Sequence, residues 1–545
     1  MTATARGSTS DASVPPPTPS RRTGGAATIV ATGILLSRVF GLARQMLMAH
    51  FLGASLAADA FTAAFKIPNI LNNLFGEGAL SASFIPVYSR LLEDGREDDA
   101  GKLAGAILGL LSLVVAIAVL VGVLITPWLI PLIAPGFDPA RRALTITLVR
   151  ILFPGAGIFV VASWCLGVLN SHRRFLISYA APILWNVAMI AALVGFGPRR
   201  GPPDLAVILA WASVAGALLQ FLVQLPTAIA LTRPLRVSLE TQSADVRRVS
   251  KNFAPVLTSR GVVQISGYID QWLASFLPGG VVATLSYAQT IYLLPVSLFG
   301  MAVSAAELPE MSRAVGTEEE IAAQLRARIG TGLRQIAYFV IPSAMAFLAL
   351  GDVIAALLFQ NGGLFKATES MYAWGILAGS AVGLLASTLG RLYSATYYAL
   401  HDTRTPLRFA LVRVGLTTIL GALFAFEGPR LLGIDQRWGA AGLTASAGIA
   451  GWVEFTLLRS RLNQRIGVTG LSAGFVGTLW GAALAAAAAG WAMRVYGLGA
   501  STFVTRALVL MVFGVVYLGA TLALGVPEAR SALRRLQRRG GSRRG

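Results

Sequence analysis

From about residue 27 onward, apolar stretches of roughly 18–28 residues recur to the end of the chain, each long enough to cross about 30 Å of hydrocarbon as a helix. The runs are continuous and do not alternate, which predicts helices and excludes an outer-membrane barrel. Spans are predicted near 27–51, 57–84, 104–133, 144–170, 176–196, 205–231, 252–277, 281–308, 332–358, 371–398, 407–426, 439–459, 471–494 and 503–524. The expected class is an all-α polytopic membrane protein with about fourteen transmembrane helices.

The flanks read differently. Residues 1–26 hold Ser, Thr, Pro15-Pro16-Pro17 and Arg21-Arg22 without an apolar run, and are expected to form a disordered cytoplasmic tail. No short apolar region followed by a small-residue cleavage site marks a signal peptide. Residues 525–545 carry arginines from Arg530 to Arg544 and are expected to be a basic cytoplasmic tail. Basic residues concentrate in the connections on the side that holds both termini, so that side is expected to be cytoplasmic.

The chain repeats itself. Ser37-Arg38, Ala49-His50-Phe51-Leu52, Leu74-Phe75-Gly76 and Pro86 with Ser89-Arg90 recur as Ser259-Arg260, Ala274-Ser275-Phe276-Leu277, Leu298-Phe299-Gly300 and Pro309 with Ser312-Arg313. The matched pairs are 222–225 residues apart. Six spans separate the copies, which predicts two parallel-repeat six-helix lobes: an N-lobe over 27–231, a cytoplasmic linker over 232–251 and a C-lobe over 252–459. Spans 13 and 14, over 471–524, fall outside the repeat.

Composition agrees with this reading. Hydrophobic residues are 55% and charged residues 13% of the 545, and mean hydropathy is +0.67. An ordinary soluble enzyme, a disulfide scaffold and a disordered chain are excluded. The formal net charge is +20. In a membrane protein that charge predicts basic loops and a C-terminal tail held at anionic lipid, and no nucleic-acid partner. The single cysteine, Cys165, permits no internal disulfide.

Charges inside spans need a reason. Span 1 holds Arg38 and Arg44, about 9 Å apart along the helix. Span 2 holds Asp59, Lys66, Asn69, Asn73 and Glu77, the first four at spacings that share one face. Span 7 adds Arg260, the repeat mate of Arg38, and Asp270, a candidate ion or proton site; later spans add Arg391 and Arg413. Guanidinium forks match phosphate oxygens, so a wet cationic cavity suited to an anionic headgroup is expected. His50 reads as a structural interfacial residue. Nucleotide loops, HExxH and Cys/His metal clusters are absent from the sequence, so neither a cofactor nor a metal is expected. Membrane potential and a sodium or proton gradient stay open as drives.

These residues carry a resemblance. Ser37 to Arg44 (SRVFGLAR), Asp59-Ala60-Phe61, Phe65 to Asn69 (FKIPN), Phe75 to Ser81 (FGEGALS), Ala134 to Phe137 (APGF), the segment from Leu298-Phe299-Gly300 to Leu308-Pro309, and Tyr397 to Pro406 (YYALHDTRTP) resemble the MurJ (MviN) lipid II flippases, in matching order over about 27–525. The resemblance implies a transporter of the multidrug/oligosaccharidyl-lipid/polysaccharide exporter superfamily, not an enzyme. It implies export of a lipid-linked diphosphate precursor by alternating access. It also implies headgroup contacts at Arg38, Arg44, Asp59 and Glu77, and a groove for the prenyl tail beside spans 13 and 14. The sequence departs from the family pattern at Asn72 or Asn73 and at Thr290, where many members carry arginine, and at Gln45, where an acid is frequent. Arg260 is expected to replace part of that charge. Sodium at Asp270 is doubtful because Thr417 and Gly421 stand at the companion positions, and Arg413 is considered as a tethered cation instead. The rivals are a flippase for another polysaccharide-lipid, a drug/cation antiporter, and a membrane enzyme acting on prenyl-phosphate lipids.

Overall fold

The computed structural model describes residues 22–232, 234–497, 502–531 and 533–534; of residues 22–31, 34 and 254–267 it describes the backbone only. Residues 1–21 of the expected N-terminal tail and 535–545 of the C-terminal tail lie outside the described residues.

The N-lobe comprises α1 (Arg22–Leu52), α2 (Leu56–Phe75), α3 (Glu77–Ser83), α4 (Ile85–Glu93), α5 (Glu97–Ile133), α6 (Pro139–Ser171), α7 (Phe175–Phe196) and α8 (Pro202–Leu231). The C-lobe comprises α9 (Ala244–Ser275), α10 (Val281–Pro295), α11 (Ala302–Ser312), α12 (Glu318–Phe359), α13 (Ala367–Ala399), α14 (Arg404–Ala422), α15 (Gly428–Leu432) and α16 (Gly439–Ile466). The extra pair is α17 (Ala473–Ala492) and α18 (Phe503–Ala523). Strands do not occur among the described residues. Among the described residues, eleven helices are long and apolar enough to cross a bilayer. α1, α2 and α9 fall outside that set; they carry Arg38 and Arg44, Asp59 and Lys66, and Arg260 and Asp270, and with all three the chain order accommodates the fourteen expected passes. The end of the bundle where α1 begins is called here the near end, and the other the far end.

Local sequence sets the helix limits. Asp138 caps α6 by accepting from the Arg141 backbone N–H at 2.9 Å, with Pro139 at the first helical position. Thr317 and Glu320 form a reciprocal capping box at the start of α12. Both α5 and α12 extend past their predicted spans at the near end, and each opens on three acidic residues, Glu97-Asp98-Asp99 and Glu318-Glu319-Glu320. These favour the positive helix end and lie in water.

The sequence repeat has a structural counterpart. Leu74-Phe75-Gly76 falls where span 2 breaks into α2 and α3. Leu298-Phe299-Gly300 falls inside a π-helical turn over Val296–Met301 that joins α10 to α11. Each lobe therefore interrupts its second span at the same place, the signature of a functional distortion. Within the C-lobe, α13 and α16 cross so closely that a Cβ on Gly383 would lie 2.2 Å from the Gly448 Cα, the small-residue contact that lets membrane helices pack.

The junction between lobes differs from the expected linker at 232–251. α9 already begins at Ala244, and Val246 and Val249 are buried in a core cluster with Leu91, Leu103 and Ala104 of the N-lobe. The first turns of α9 thus pack with the N-lobe, and the rest of the helix continues into the C-lobe. The extended segment ahead of it lies along α5, where Cβ atoms on Gly101, Gly105 and Gly109 would meet the carbonyls of Pro234, Arg236 and Ser238 at 2.8, 2.1 and 2.2 Å.

Candidate functional site

At the far end the two lobes are bonded together. The Tyr287 hydroxyl donates to the Gly53 carbonyl at 3.0 Å, and the Leu364 N–H donates to the His50 carbonyl at 2.7 Å. His50 Nδ1 meets the Asn361 carbonyl at 3.0 Å. Gly280 turns with φ 89°, and a Cβ there would sit 2.2 Å from the Ala54 carbonyl, so the tight approach requires glycine.

Asp59 is the centre of this seal. Its side chain is fully buried. One carboxylate oxygen accepts from Arg141 at 3.1 Å and from the Gly280 N–H at 2.7 Å; the other accepts from the Ala283 N–H at 2.8 Å. An N-lobe carboxylate thereby satisfies open donors at the start of the C-lobe helix α10. Arg141 also donates to Asp138 at 2.8 Å and stands over the Phe137 ring at 4.7 Å. Its hydrogen bonds hold the Asp138 carboxyl below the usual carboxylate range. Asp59 therefore does not face a cavity. Arg141, which sequence reading places in a loop, proves to be its partner; the capped Asp138–Arg141 spacing after the Ala134–Phe137 motif was the available signal.

A chamber of about 740 Å³ opens within the N-lobe. Among the described residues its wall includes Arg44, Asn69, Asn72, Asn73, Glu77 and Trp185. The Arg44 guanidinium sits 4.3 Å over the Trp185 ring, and the ring is braced by Phe65 at 5.7 Å and Phe159 at 5.8 Å. Arg44 Nε is buried without a hydrogen-bond partner, and no ion pair among the described residues involves this arginine. Its Nη1 reaches only the weak acceptor Met189 Sδ, at 4.0 Å, so the chamber holds an oriented cation with much of its bonding capacity unspent.

Arg38 lies elsewhere. It is exposed and reaches across the lobe boundary to donate to Ser297 Oγ at 2.5 Å. Lys66 is half-buried outside the chamber, and its carbonyl accepts from the Tyr268 hydroxyl of the C-lobe at 2.9 Å. The Arg260 side chain lies outside the described residues. A second cavity, of about 240 Å³, lies in the C-lobe and is lined by Asp270, Tyr292, Arg391, Arg413 and Thr417 among others. Arg413 pairs directly with Glu454 at 3.3 Å. Asp270 and Arg413 line the same cavity.

The family profile described as "Lipid II flippase MurJ" matches residues 48–518. The "Lipid II flippase MurJ" of Burkholderia cenocepacia is 32% identical over 438 residues, 79% of this chain and 82% of its own length. This chain belongs to the MurJ family. The "Probable lipid II flippase MurJ" of Rhizobium meliloti is 31% identical over 445 residues, 80% of each chain. Among solved structures, "Lipid II flippase MurJ, inward closed conformation" superposes with TM-score 0.74 at 20% identity, over 91% of this chain and 99% of that one. An inward-facing multidrug resistance MATE family transporter of the MOP superfamily superposes with TM-score 0.61 at 18% identity, over 81% of this chain and 98% of that one. Both establish the two-lobed transporter fold.

Two residues that the sequence reading singled out meet in space in this MurJ family member. Gln45 Nε2 donates to Thr290 Oγ1 at 3.3 Å across the lobes. The contact joins α1 to α10 by a neutral hydrogen bond.

Proposed function

We propose that this protein carries lipid II, the lipid-linked peptidoglycan precursor, from the cytoplasmic to the outer leaflet of the bacterial inner membrane, and does so by moving the lipid without reacting with it. The observation that carries the reading is Arg44: a stacked, buried guanidinium with no acidic partner among the described residues, in a chamber of about 740 Å³. A diphosphate supplies the charge and the acceptors that this fork lacks. Asn69, Asn73 and Glu77 offer the chamber's polar wall to sugar and peptide groups. The near end is cytoplasmic, in keeping with its excess of basic residues.

The cycle is alternating access. In the state described, Asp59 and its partners close the far end while the headgroup binds at Arg44. The lobes then separate at the far end, and the head leaves outward as its prenyl chain stays in lipid beside α17 and α18. Arg38, bonded to Ser297 at the lobe boundary, contributes to closing the near side. No cofactor is needed. A negative-inside potential favours outward movement of an anion by about 2.3 kcal/mol per charge per 100 mV.

The test is complementation of cells depleted of their own lipid II flippase, scored by leaflet-specific labelling of the precursor. Rescue by the intact protein and loss with Arg44→Ala at equal expression is the expected outcome. Failure of the well-expressed intact protein would point to another polysaccharide-lipid as cargo.

A further inference from the structure

Two complementary atoms on the wall of the N-lobe chamber have no hydrogen-bond partner among the described residues. One is Arg44 Nε, a donor. The other is Asn186 Oδ1, an acceptor on a residue that is 4% exposed. Both residues line the chamber. The Asn186 amide is not free to flip. Its Nδ2 donates to the Pro182 carbonyl at 3.3 Å, one helical turn earlier, and a carbonyl requires the nitrogen on that side. The oxygen is thereby fixed on the other.

The two groups are neighbours. α1 and α7 run side by side in step: a Cβ on Gly33 would lie 2.8 Å from Tyr179, a Cβ on Gly41 would lie 3.9 Å from Asn186 Oδ1, and Arg44 Nη1 lies 4.0 Å from Met189 Sδ. Gly41 precedes Arg44 by three residues, so the two share a side of α1 about 4.5 Å apart along its axis. Asn186 Oδ1 therefore faces α1 one turn from the arginine, and glycine at 41 leaves the space in front of it open. Buried polar atoms are paired in the great majority of cases. A donor and an acceptor this close that bond neither each other nor anything else mark a place for a ligand that bridges them.

The pair selects by chemistry. A diphosphate diester alone satisfies Arg44 and offers Asn186 only acceptors. An ammonium group suits Asn186 and is repelled by Arg44. Water bonds to either atom and brings no charge to the guanidinium. One molecule satisfies both if it carries an anionic acceptor and, beside it, an N–H or O–H donor. A sugar 1-diphosphate has that order when the neighbouring ring carbon bears the donor. The chamber wall adds a condition. Phe159, Ala162 and Leu166 of α6 line it with apolar surface, which suits the methyl of an acylated amine better than a bare hydroxyl.

We propose that Asn186 is a specificity-determining residue: its Oδ1 accepts the amide N–H of a 2-acylamino sugar whose 1-diphosphate is held by Arg44, and Gly41 keeps the approach open. The inference rests on the cargo reading above and narrows it from lipid-linked diphosphates in general to those of acylamino sugars.

The test measures binding of soluble, tail-free hexose 1-diphosphates to the full-length protein in nanodiscs by native mass spectrometry. Three ligands differ only at carbon 2, which carries acetamido, hydroxyl or hydrogen. Wild type should bind the acetamido ligand about fourfold more tightly than the hydroxyl ligand, the worth of one buried methyl. It should bind it about tenfold more tightly than the hydrogen ligand, which leaves Oδ1 unpaired. Asn186→Leu should bring the ratio of acetamido to hydrogen affinity close to one. Gly41→Ala, a change that favours the helix, should lower the same ratio by filling the approach, and it does so with Asn186 and its bond to Pro182 in place. A structural role for Asn186 would weaken all three ligands alike; an unchanged ratio in both variants overturns the assignment. Equal binding of the acetamido and hydrogen ligands by wild type leaves Oδ1 to water and overturns the inference, with the diphosphate still at Arg44. Equal binding of the acetamido and hydroxyl ligands, both above hydrogen, overturns the acyl preference. Binding of none of the three by wild type overturns the cargo reading itself, and the inference with it.

Discussion

Asp59 and Arg141 lie 3.1 Å apart at the far end, and the same carboxylate holds the first N–H groups of α10, so one buried side chain ties α2, α6 and α10 together across the two lobes. Asp59→Asn keeps the shape and removes the charge. Removing one partner of a buried pair costs about 3–5 kcal/mol, and Arg141 retains only Asp138. The state closed at the far end should lose population. Cysteines placed at Ala54 and Gly279 should become accessible to an impermeant thiol reagent added outside the cell, and flipping should fall because the closed state is no longer recovered.

Arg44 invites a finer comparison. Arg44→Lys preserves charge but loses the planar fork and its stacking on Trp185, so headgroup binding should weaken by about tenfold to a hundredfold, as expected for losing one charge-assisted bond of about 1.5–3 kcal/mol. Trp185→Leu leaves the charge and removes the platform, for a smaller loss of about 0.5–2 kcal/mol. Binding of the lipid-linked diphosphate, followed by native mass spectrometry, should rank the variants as wild type, Trp185→Leu, Arg44→Lys, Arg44→Ala. Equal binding by wild type and Arg44→Ala would remove the diphosphate from this residue.

The helical frame was legible because hydropathy writes each span directly into the chain, and the repeat fixed the two lobes. The N-lobe chamber was legible only in part. Arg44, Asn69, Asn73 and Glu77 do share a wall, since span and face follow from local spacing. Arg38 and Arg44 differ by six residues, which places them about 120° apart around α1, and Arg38 meets the other lobe instead. Asp59 could not be placed from sequence, for its partners lie 82, 221 and 224 residues away. Gln45 and Thr290 each stood out alone; only the fold joins them.

His172 supplies a pH dependence outside the membrane. It ends α6 and hydrogen-bonds the Tyr88 hydroxyl at 3.0 Å. Burial pushes it below its ordinary value of 6.5; Arg174 lowers it further, and Glu97 opposes the shift. The unfolded chain therefore binds the proton more readily than the folded one, so stability rises with pH through the window below about 6.5 and falls on acidification. Thermal unfolding in detergent should show a Tm that drops between pH 6.5 and 5. His172→Gln should flatten that segment of the curve. An unchanged slope in the variant would assign the titration to another group.

The segment joining the lobes is held by what α5 lacks. A Cβ on Gly105 would lie 2.1 Å from the Arg236 carbonyl, against backbone that cannot swing aside as a side chain can. Gly105→Val should lift residues 234–240 from α5 while leaving the helix itself intact, since valine costs less than glycine in a helix. Limited proteolysis should then cut this segment faster than in wild type, with unchanged helix content.

Arg506 anchors the extra helix pair. It is 6% exposed at the start of α18 and donates to the carbonyls of Ala356 and Gln360 at 2.9 and 3.0 Å, so it satisfies the open C-terminal end of α12. Arg506→Met fills similar space, removes the donor to the Gln360 carbonyl and leaves the Ala356 carbonyl only the Gln360 N–H, at a cost of about 1–3 kcal/mol. The loss falls on the contact between α12 and α18, at Gln360 beside Asn361 of the far-end seal, while the Arg44 chamber lies within the N-lobe and keeps its geometry. The variant should therefore melt at lower temperature yet bind a soluble, tail-free diphosphate-sugar head as wild type does. If α17 and α18 border the prenyl chain, its affinity for the full lipid should fall. Loss of binding to both ligands alike would show that the pair supports the whole bundle and has no separate role at the tail.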